Sequence, residues 1–284
     1  MGPASTLALN HLMKRQNEST CEDISPAYSE FAHIYDWVMH DVDYEMWADY
    51  VTGLIQAEGV RGKDLLDLAC GTGNVSLAMA RRGYRVTGLD ISPQMLDVAR
   101  KKTQDLVPPQ EMRSDRSAMP VPVDYIHGDM RAFDLGRQFH VITCLYDSIN
   151  YLRSQEDLAQ AFICARDHLK RGGVFVFDVN TECQLARSHN KPATMFEKGD
   201  QIILFWQDRW VPRTKTWQVR LSGFVKEGEL YRRFQEIHEE RAYSPAEVQA
   251  CLDKAGFGRV TVYEAYARQP ARPESPRLYF VARV

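Results

Sequence analysis

Asp67, Gly71, Gly73 and Asp90 are the residues whose types and spacing can do chemistry together, and they fall within Lys63 to Asp90, KDLLDLACGTGNVSLAMARRGYRVTGLD. Gly71 and Gly73 permit backbone angles that a side chain forbids and let a ligand come close to the main chain. Asp90 closes an apolar run and is placed to accept hydrogen bonds from a ribose diol. These features point to a nucleoside cofactor. A nicotinamide dinucleotide wants a third glycine at its pyrophosphate turn, where this chain has Ser76, and the carboxylate of Asp67 sits badly beside a pyrophosphate. That acid suits a cation better, such as the amino group of a methionine moiety in a sulfonium cofactor that carries no phosphate.

The elements that must position these residues follow from the hydrophobic pattern. Leu65, Leu66 and Leu68 form a short apolar run suited to a buried parallel strand. Val75 to Arg82 has helical spacing, and Tyr84 to Leu89 is a second apolar run, so the stretch reads as one βαβ unit with its ligand outside the carboxyl ends of the strands. Further along, Ser92-Pro93 caps a helix, and residues 103–122 read as an inserted loop rich in proline and charge. A third strand falls on Tyr125-Ile126 and a fourth on His140 to Leu145. The helix from Glu156 to Leu169 is closed by Arg171-Gly172-Gly173, and a fifth strand runs from Val174 to Val179. This alternation predicts a parallel sheet with helices on both faces.

The residues at these positions resemble the class I S-adenosylmethionine-dependent methyltransferases, whose first motif is an acid followed by alternating glycines. DLACGTG is a common variant of it, departing at Ala69, which replaces the first glycine and is expected to narrow the turn slightly. The resemblance implies that Asp67, Ala69, Gly71, Thr72 and Gly73 form the cofactor turn and that Asp90 and Ile91, in GLDIS, meet the ribose. It places Gly128, Asp129 and Met130, in HGDMRAF, at the adenine, with Asp129 meeting the amino group and Met130 covering the ring. Met95, Leu145 and Tyr35 complete the implied cofactor set. The fourth-strand motif falls on residues 141–152, VITCLYDSINYL. The phrasing of DMRAFDLG and CLYDSINYL is similar to the small-molecule branch that includes sugar N-methyltransferases. It implies S-adenosylmethionine as cofactor, a small-molecule acceptor and methyl transfer to nitrogen or oxygen.

The remaining regions complete the expected plan: a Rossmann-like, doubly wound, mostly parallel seven-stranded α/β sheet with a closing antiparallel hairpin. Residues 1–25 are polar and aperiodic and read as a disordered start. Residues 26–60 read as a helical lid beginning at Ser25-Pro26, with Tyr35 or Trp47 able to lie over the sulfonium, a contact worth ~1 to 2 kcal/mol. The cofactor domain is read as 61–180 and 242–284. Between these parts, residues 181–241 read as an inserted antiparallel meander, with strands at Ile202 to Val211, Thr216 to Lys226 and Leu230 to Tyr243, roofing the substrate pocket. Ser244-Pro245 starts a final helix, and Val260 to Tyr266 with Leu278 to Val284 form the hairpin.

An amine nucleophile must be neutral to attack, so a nearby acceptor for its proton is expected. Tyr146, Asp147 and His238 are the candidates, with a helix cap as the structural alternative for Asp147 and a solvated sheet residue for His238. A net charge of −3 gives no basic footprint for nucleic acid. The six cysteines show no C-x-x-C pair and no His at zinc spacing, which predicts reduced thiols in a cytoplasmic protein and no metal. No stretch reaches the roughly 18 apolar residues of a membrane span. The competing readings are an RNA or protein methyltransferase, a dinucleotide oxidoreductase and a non-catalytic cofactor-binding scaffold. Monomer and homodimer are both compatible with the sequence.

Overall fold

The central strand, β1 (Asp64–Leu68), is almost wholly buried, as a parallel strand covered on both faces must be. It pairs in parallel with β2 (Arg85–Asp90) on one side and β4 (Phe139–Cys144) on the other. The computed structural model describes residues 24–106, 123–188, 192–267, 269–272 and 274–284. Around β1 the seven-stranded sheet has the order β10-β11-β5-β4-β1-β2-β3. Here β3 is Asp124–His127, β5 Leu169–Asn180, β10 Arg259–Glu264 and β11 Arg277–Arg283. β11 lies antiparallel between β5 and β10, so the last strand of the closing hairpin sits inside the sheet as expected, with β10 at its edge.

Two helical segments precede the sheet, α1 (Ala32–Val38) and α2 (Tyr44–Ala57), and α3 (Asn74–Arg81) and α4 (Pro93–Asp105) follow β1 and β2. One face of the sheet is sealed by α2 and α3, where Val51, Ile55, Ala78 and Met79 pack on Leu65, Val141 and Tyr279. The other is sealed by α5 (Gln155–Asp167) and the late helix Pro245–Ala255, where Leu158, Phe162 and Leu252 meet Leu66, Phe175 and Phe280. That late helix, numbered α7 after the short α6 (Glu182–Leu185), begins in a full capping box between Ser244 and Glu247 and ends on Gly256 at φ 85°.

A second, four-stranded antiparallel sheet, β6-β7-β8-β9, follows β5. Its strands are β6 (Thr194–Lys198), β7 (Ile202–Val211), β8 (Thr216–Glu227) and β9 (Leu230–Arg241). α1 and the residue before it pack on this sheet: Phe31, Ile34 and Tyr35 join Leu204, Val219, Leu221 and Phe234 in one apolar cluster.

Several local expectations change. Ser25-Pro26 does not open a helix; Ser25 donates its backbone N–H to Gln235 O at 2.8 Å, forming a parallel bridge beside β9, and α1 starts only at Ala32. α4 continues through Asp105, so residues 103–105 are helical, while 107–122 lie outside the described residues, as do 1–23. Arg171-Gly172-Gly173 does not close a helix. α5 ends at Asp167 and β5 already begins at Leu169, with a register shift against β4 between Phe139 and Val141 that absorbs the glycine pair. The second sheet also has one strand more than its sequence pattern announced. β6 is short and mostly exposed, so no alternation marks it.

Candidate active site

The turn after β1 is built in the left-handed region. Ala69, Gly71 and Gly73 have φ of 53°, 55° and 77°, so Ala69 takes a left-handed backbone conformation that favours glycine, at a conformational cost of ~1 to 2 kcal/mol. Gly73 caps α3, and a Cβ there would stand 2.3 Å from the Tyr125 hydroxyl, so its role is close packing. Asp90 is fastened from two directions: Gly71 N–H donates to Oδ2 and Ser92 N–H to Oδ1, each at 2.8 Å. Asp67 is buried, accepting from the hydroxyls of Ser76 at 2.6 Å and Thr143 at 2.8 Å. Ser76, standing where a dinucleotide fold would keep glycine, thus orients this acid. Burial pushes the Asp67 carboxyl up to about 6, against the two hydroxyls that favour its charged form.

These residues open onto a cavity at the carboxyl ends of β1, β2 and β4. Tyr35, Asp67, Ala69, Gly71, Thr72, Asp90, Ile91, Met95, Met130 and Leu145 line it, as the sequence anticipated. Gly128 and Asp129 line an adjoining cleft that shares Asp90, Ile91 and Met130 with the cavity. The Asp129 carboxylate already accepts from Arg131 Nη2 at 2.6 Å, and that guanidinium holds it below the usual carboxylate range despite partial burial. Gly73 lines none of these spaces. Pattern reading gave no signal for Asp36 on α1, which accepts from Thr72 Oγ1 at 2.6 Å and Asn74 Nδ2 at 3.0 Å and pairs with Lys102 at 2.6 Å. It ties the N-terminal segment to the glycine turn.

A second cavity, with about 740 Å³ of empty space, lies between the two sheets. Tyr28, Tyr146 and Tyr151 line both cavities, and Asp147 and His238 face the second. The turn after β4 is strained, with Tyr146 and Asp147 both left-handed at φ 63° and 51°. Asp178 at the end of β5 holds it: Oδ1 accepts from Tyr146 N–H at 2.8 Å and Oδ2 from Asp147 N–H at 3.0 Å. Arg277 then bridges Asp178 at 2.5 Å and Asp147 at 2.6 Å. Asp147 therefore caps nothing with its side chain, contrary to the capping alternative, and is paired rather than free. Trp47 packs on Tyr146 at 4.9 Å, and the Arg277 guanidinium lies 5.8 Å over Trp47.

His238 is not a solvated sheet residue; only 4% of it is exposed. Its Nε2 lies 3.0 Å from Glu236 Oε2, and its Nδ1 is 3.1 Å from the Tyr151 hydroxyl, which is 2.6 Å from that of Tyr28. A carboxylate can only accept, so Nε2 carries a proton toward Glu236, and Nδ1 faces the Tyr151 hydroxyl. Burial opposes the charge on Glu236, yet the hydrogen bonds from His238 and the Phe31 N–H hold its carboxyl below the usual range. Burial also pushes the Tyr28 and Tyr151 hydroxyls well up, so both stay protonated. Glu236, His238 and Glu240 are spaced two apart on β9, and that alternation was the available sign that they share one face. Among the described residues no cluster of His, Cys, Asp and Glu is arranged to hold a metal, and no helix is long and apolar enough to cross a membrane.

With this geometry in view, the comparisons with known proteins are informative. Residues 65–173 match the methyltransferase domain family. The chain is 30% identical over 258 residues to "Putative methyltransferase YqeM" of Bacillus subtilis, covering 90% of this chain and 96% of that protein. An S-adenosylmethionine-dependent methyltransferase of Clostridium acetobutylicum superposes with a TM-score of 0.74 at 29% identity, over 90% of this chain and 98% of its own. A third relative, the dTDP-3-amino-3,6-dideoxy-alpha-D-glucopyranose N,N-dimethyltransferase of Streptomyces fradiae, is 33% identical over 151 residues, 52% of each chain. The chain belongs to the methyltransferase family. It is an S-adenosylmethionine-dependent methyltransferase of the class I fold.

Proposed function

We propose that the first cavity holds S-adenosylmethionine and that the second holds a small-molecule acceptor whose amine nitrogen meets the methyl group where Tyr28, Tyr146 and Tyr151 join the two. The observation that carries this reading is that those three tyrosines line both the cavity at the glycine turn and the cavity between the sheets. The residues fit the cofactor: Asp90 keeps acceptor capacity for a ribose diol, Asp67 faces an ammonium, and Ile91, left 61% exposed, with Met130 offers apolar cover to an adenine beside Asp129. The bound cofactor supplies an electrophilic methyl carbon on a good leaving group. The protein's contribution is alignment and exclusion of water, which can be worth ~7 to 11 kcal/mol.

In this reading Tyr151 accepts the amine proton as it passes its own hydroxyl proton to His238 Nδ1, and Glu236 stabilises the imidazolium. Residues 26–60 act as the lid, 61–180 with 242–284 as the cofactor domain, and 181–241 as the roof over the acceptor. Unpaired thiols support a cytoplasmic location: Cys70, Cys144, Cys164, Cys183 and Cys251 are free. The amine acceptor is favoured by the N,N-dimethyltransferase activity in the name of the Streptomyces fradiae relative.

The test is methyl transfer from labelled cofactor to phosphate-free amino sugars and to an extract of small amines. Tyr151→Phe should lower kcat by about 10²-fold or more, with the affinity for S-adenosylhomocysteine unchanged. A Tyr151→Phe enzyme that turns over at the full rate would remove the relay from the mechanism.

A further inference from the structure

The second cavity carries polar groups that the relay does not use. Glu240 is 3% exposed, yet its Oε2 finds no hydrogen-bond partner within the protein. Burial, and after it the charge of neighbouring Asp147, push its carboxyl well up, beside the pair that Arg277 makes with Asp147. The Oδ1 of Asn180, 5% exposed, and the buried Nε1 of Trp217 also find no partner. All three residues line this cavity. Buried polar atoms are satisfied in the great majority of cases, and each one left alone costs ~1 to 3 kcal/mol. Three around one cavity, two acceptors and one donor, Asn180 on the first sheet and Trp217 and Glu240 facing each other on the second, amount to a template of what is to be bound.

We propose that Glu240, Asn180 and Trp217 form the specificity pole of the acceptor pocket, taking a compact, non-anionic molecule that presents two hydrogen-bond donors and one acceptor, such as a vicinal amino alcohol. This inference rests on the reading of the second cavity as the acceptor site. The charge balance supports it: Asp147 and Glu240 face the cavity with Arg277, and Arg277 is already committed to Asp147 and Asp178. A carboxylate or phosphate on the ligand would find no uncommitted guanidinium or ammonium among the residues that line this cavity. The neighbouring lining is apolar, Phe31, Trp206, Val219 and Leu221, and suits the carbon face of a small ring. Glu240 acts here by holding the acceptor, not by moving its proton.

Two ring compounds of opposite charge test the pole, trans-2-aminocyclohexanol and trans-2-hydroxycyclohexanecarboxylate. Each is titrated into the full chain saturated with S-adenosylhomocysteine, with tryptophan fluorescence as the readout. The amino alcohol should bind at least about tenfold more tightly than the hydroxy acid. Glu240→Met should abolish that preference, and Glu240→Gln, which keeps an acceptor oxygen, should restore part of the affinity. Because an orphaned carboxyl opposes folding, Glu240→Met should also melt a few degrees higher than the wild type, at unchanged affinity for S-adenosylhomocysteine. Equal binding of the two probes, no binding of the amino alcohol, or unchanged affinity in Glu240→Met would overturn the proposal. A melting point several degrees lower in Glu240→Met would assign the carboxyl to the fold and overturn it too. The readout is binding rather than turnover, so failure here is distinct from failure of the Tyr151 relay.

Discussion

Asp67 is held in two opposed ways. The Ser76 and Thr143 hydroxyls favour its carboxylate, but burial outweighs them and pushes the carboxyl up from 3.8 to about 6. A carboxyl raised on folding adds stability that is fully present below its unfolded value and lost as the pH rises through the folded one. The window here runs from about 4 to 6 and is worth ~3 kcal/mol. The ligand-free Asp67→Asn variant should therefore melt higher than wild type at pH 7.5, and the difference should vanish near pH 4. If Asp67 faces the cofactor's ammonium, the same variant should bind S-adenosylhomocysteine about tenfold or more weakly at pH 7.5. A lower melting point with unchanged affinity would show that the acid serves only its two hydroxyl partners. Much of this site was legible one residue at a time. Asp67, the glycines and Asp90 have a spacing that only a ligand-binding βα turn explains, and the exchange of glycine for Ala69 was visible as a departure. Arg277 was not, because it lies in a proline-rich connector with no periodicity and acquires its role only when β11 lies beside β5.

Among the elements, β9 does the most to organise the acceptor side. Its Glu236 accepts from three successive-turn backbone donors, the N–H groups of Tyr28, Glu30 and Phe31 at 2.8, 2.7 and 2.8 Å. One buried carboxylate thus replaces the helix that Ser25-Pro26 announced, and Tyr28 is held at φ 60° over the cavities. Sequence reasoning expected a helix because it weighs local propensity, whereas here a residue more than 200 positions away supplies the acceptors. The same reasoning recovered the long strands β7, β8 and β9 from their alternation and overlooked the short, exposed β6. Glu236→Leu leaves three backbone donors, that of Phe31 buried, and His238 without their acceptor, so it should cost ~3 to 5 kcal/mol and lower the melting point by several degrees. Glu236→Gln, which keeps one oxygen, should cost less and show faster amide exchange at residues 28–31. Unaltered exchange there in Glu236→Gln would mean that the apolar cluster alone fixes the segment.

For the whole molecule, the segment before α2 is the bridge between the two sheets. Tyr28 and Tyr35 line the cofactor cavity, Asp36 grips the glycine turn, and Phe31 and Ile34 pack against the second sheet. Binding of S-adenosylhomocysteine should therefore slow hydrogen exchange along residues 28–38 and β9 as well as in the β1–α3 turn. Protection confined to the β1–α3 turn would show that the sheets respond separately. The layered architecture was predictable because alternating strands and helices leave few topologies, while the contact between the two sheets was not, since it depends on which side chains meet across the interface. The clasp of Arg277 on Asp147 and Asp178 has a consequence for biosynthesis. The left-handed bend after β4 is complete only once residue 277 has emerged from the ribosome, so a nascent chain that already holds its nucleoside-binding half still lacks a finished floor for the molecule it will modify.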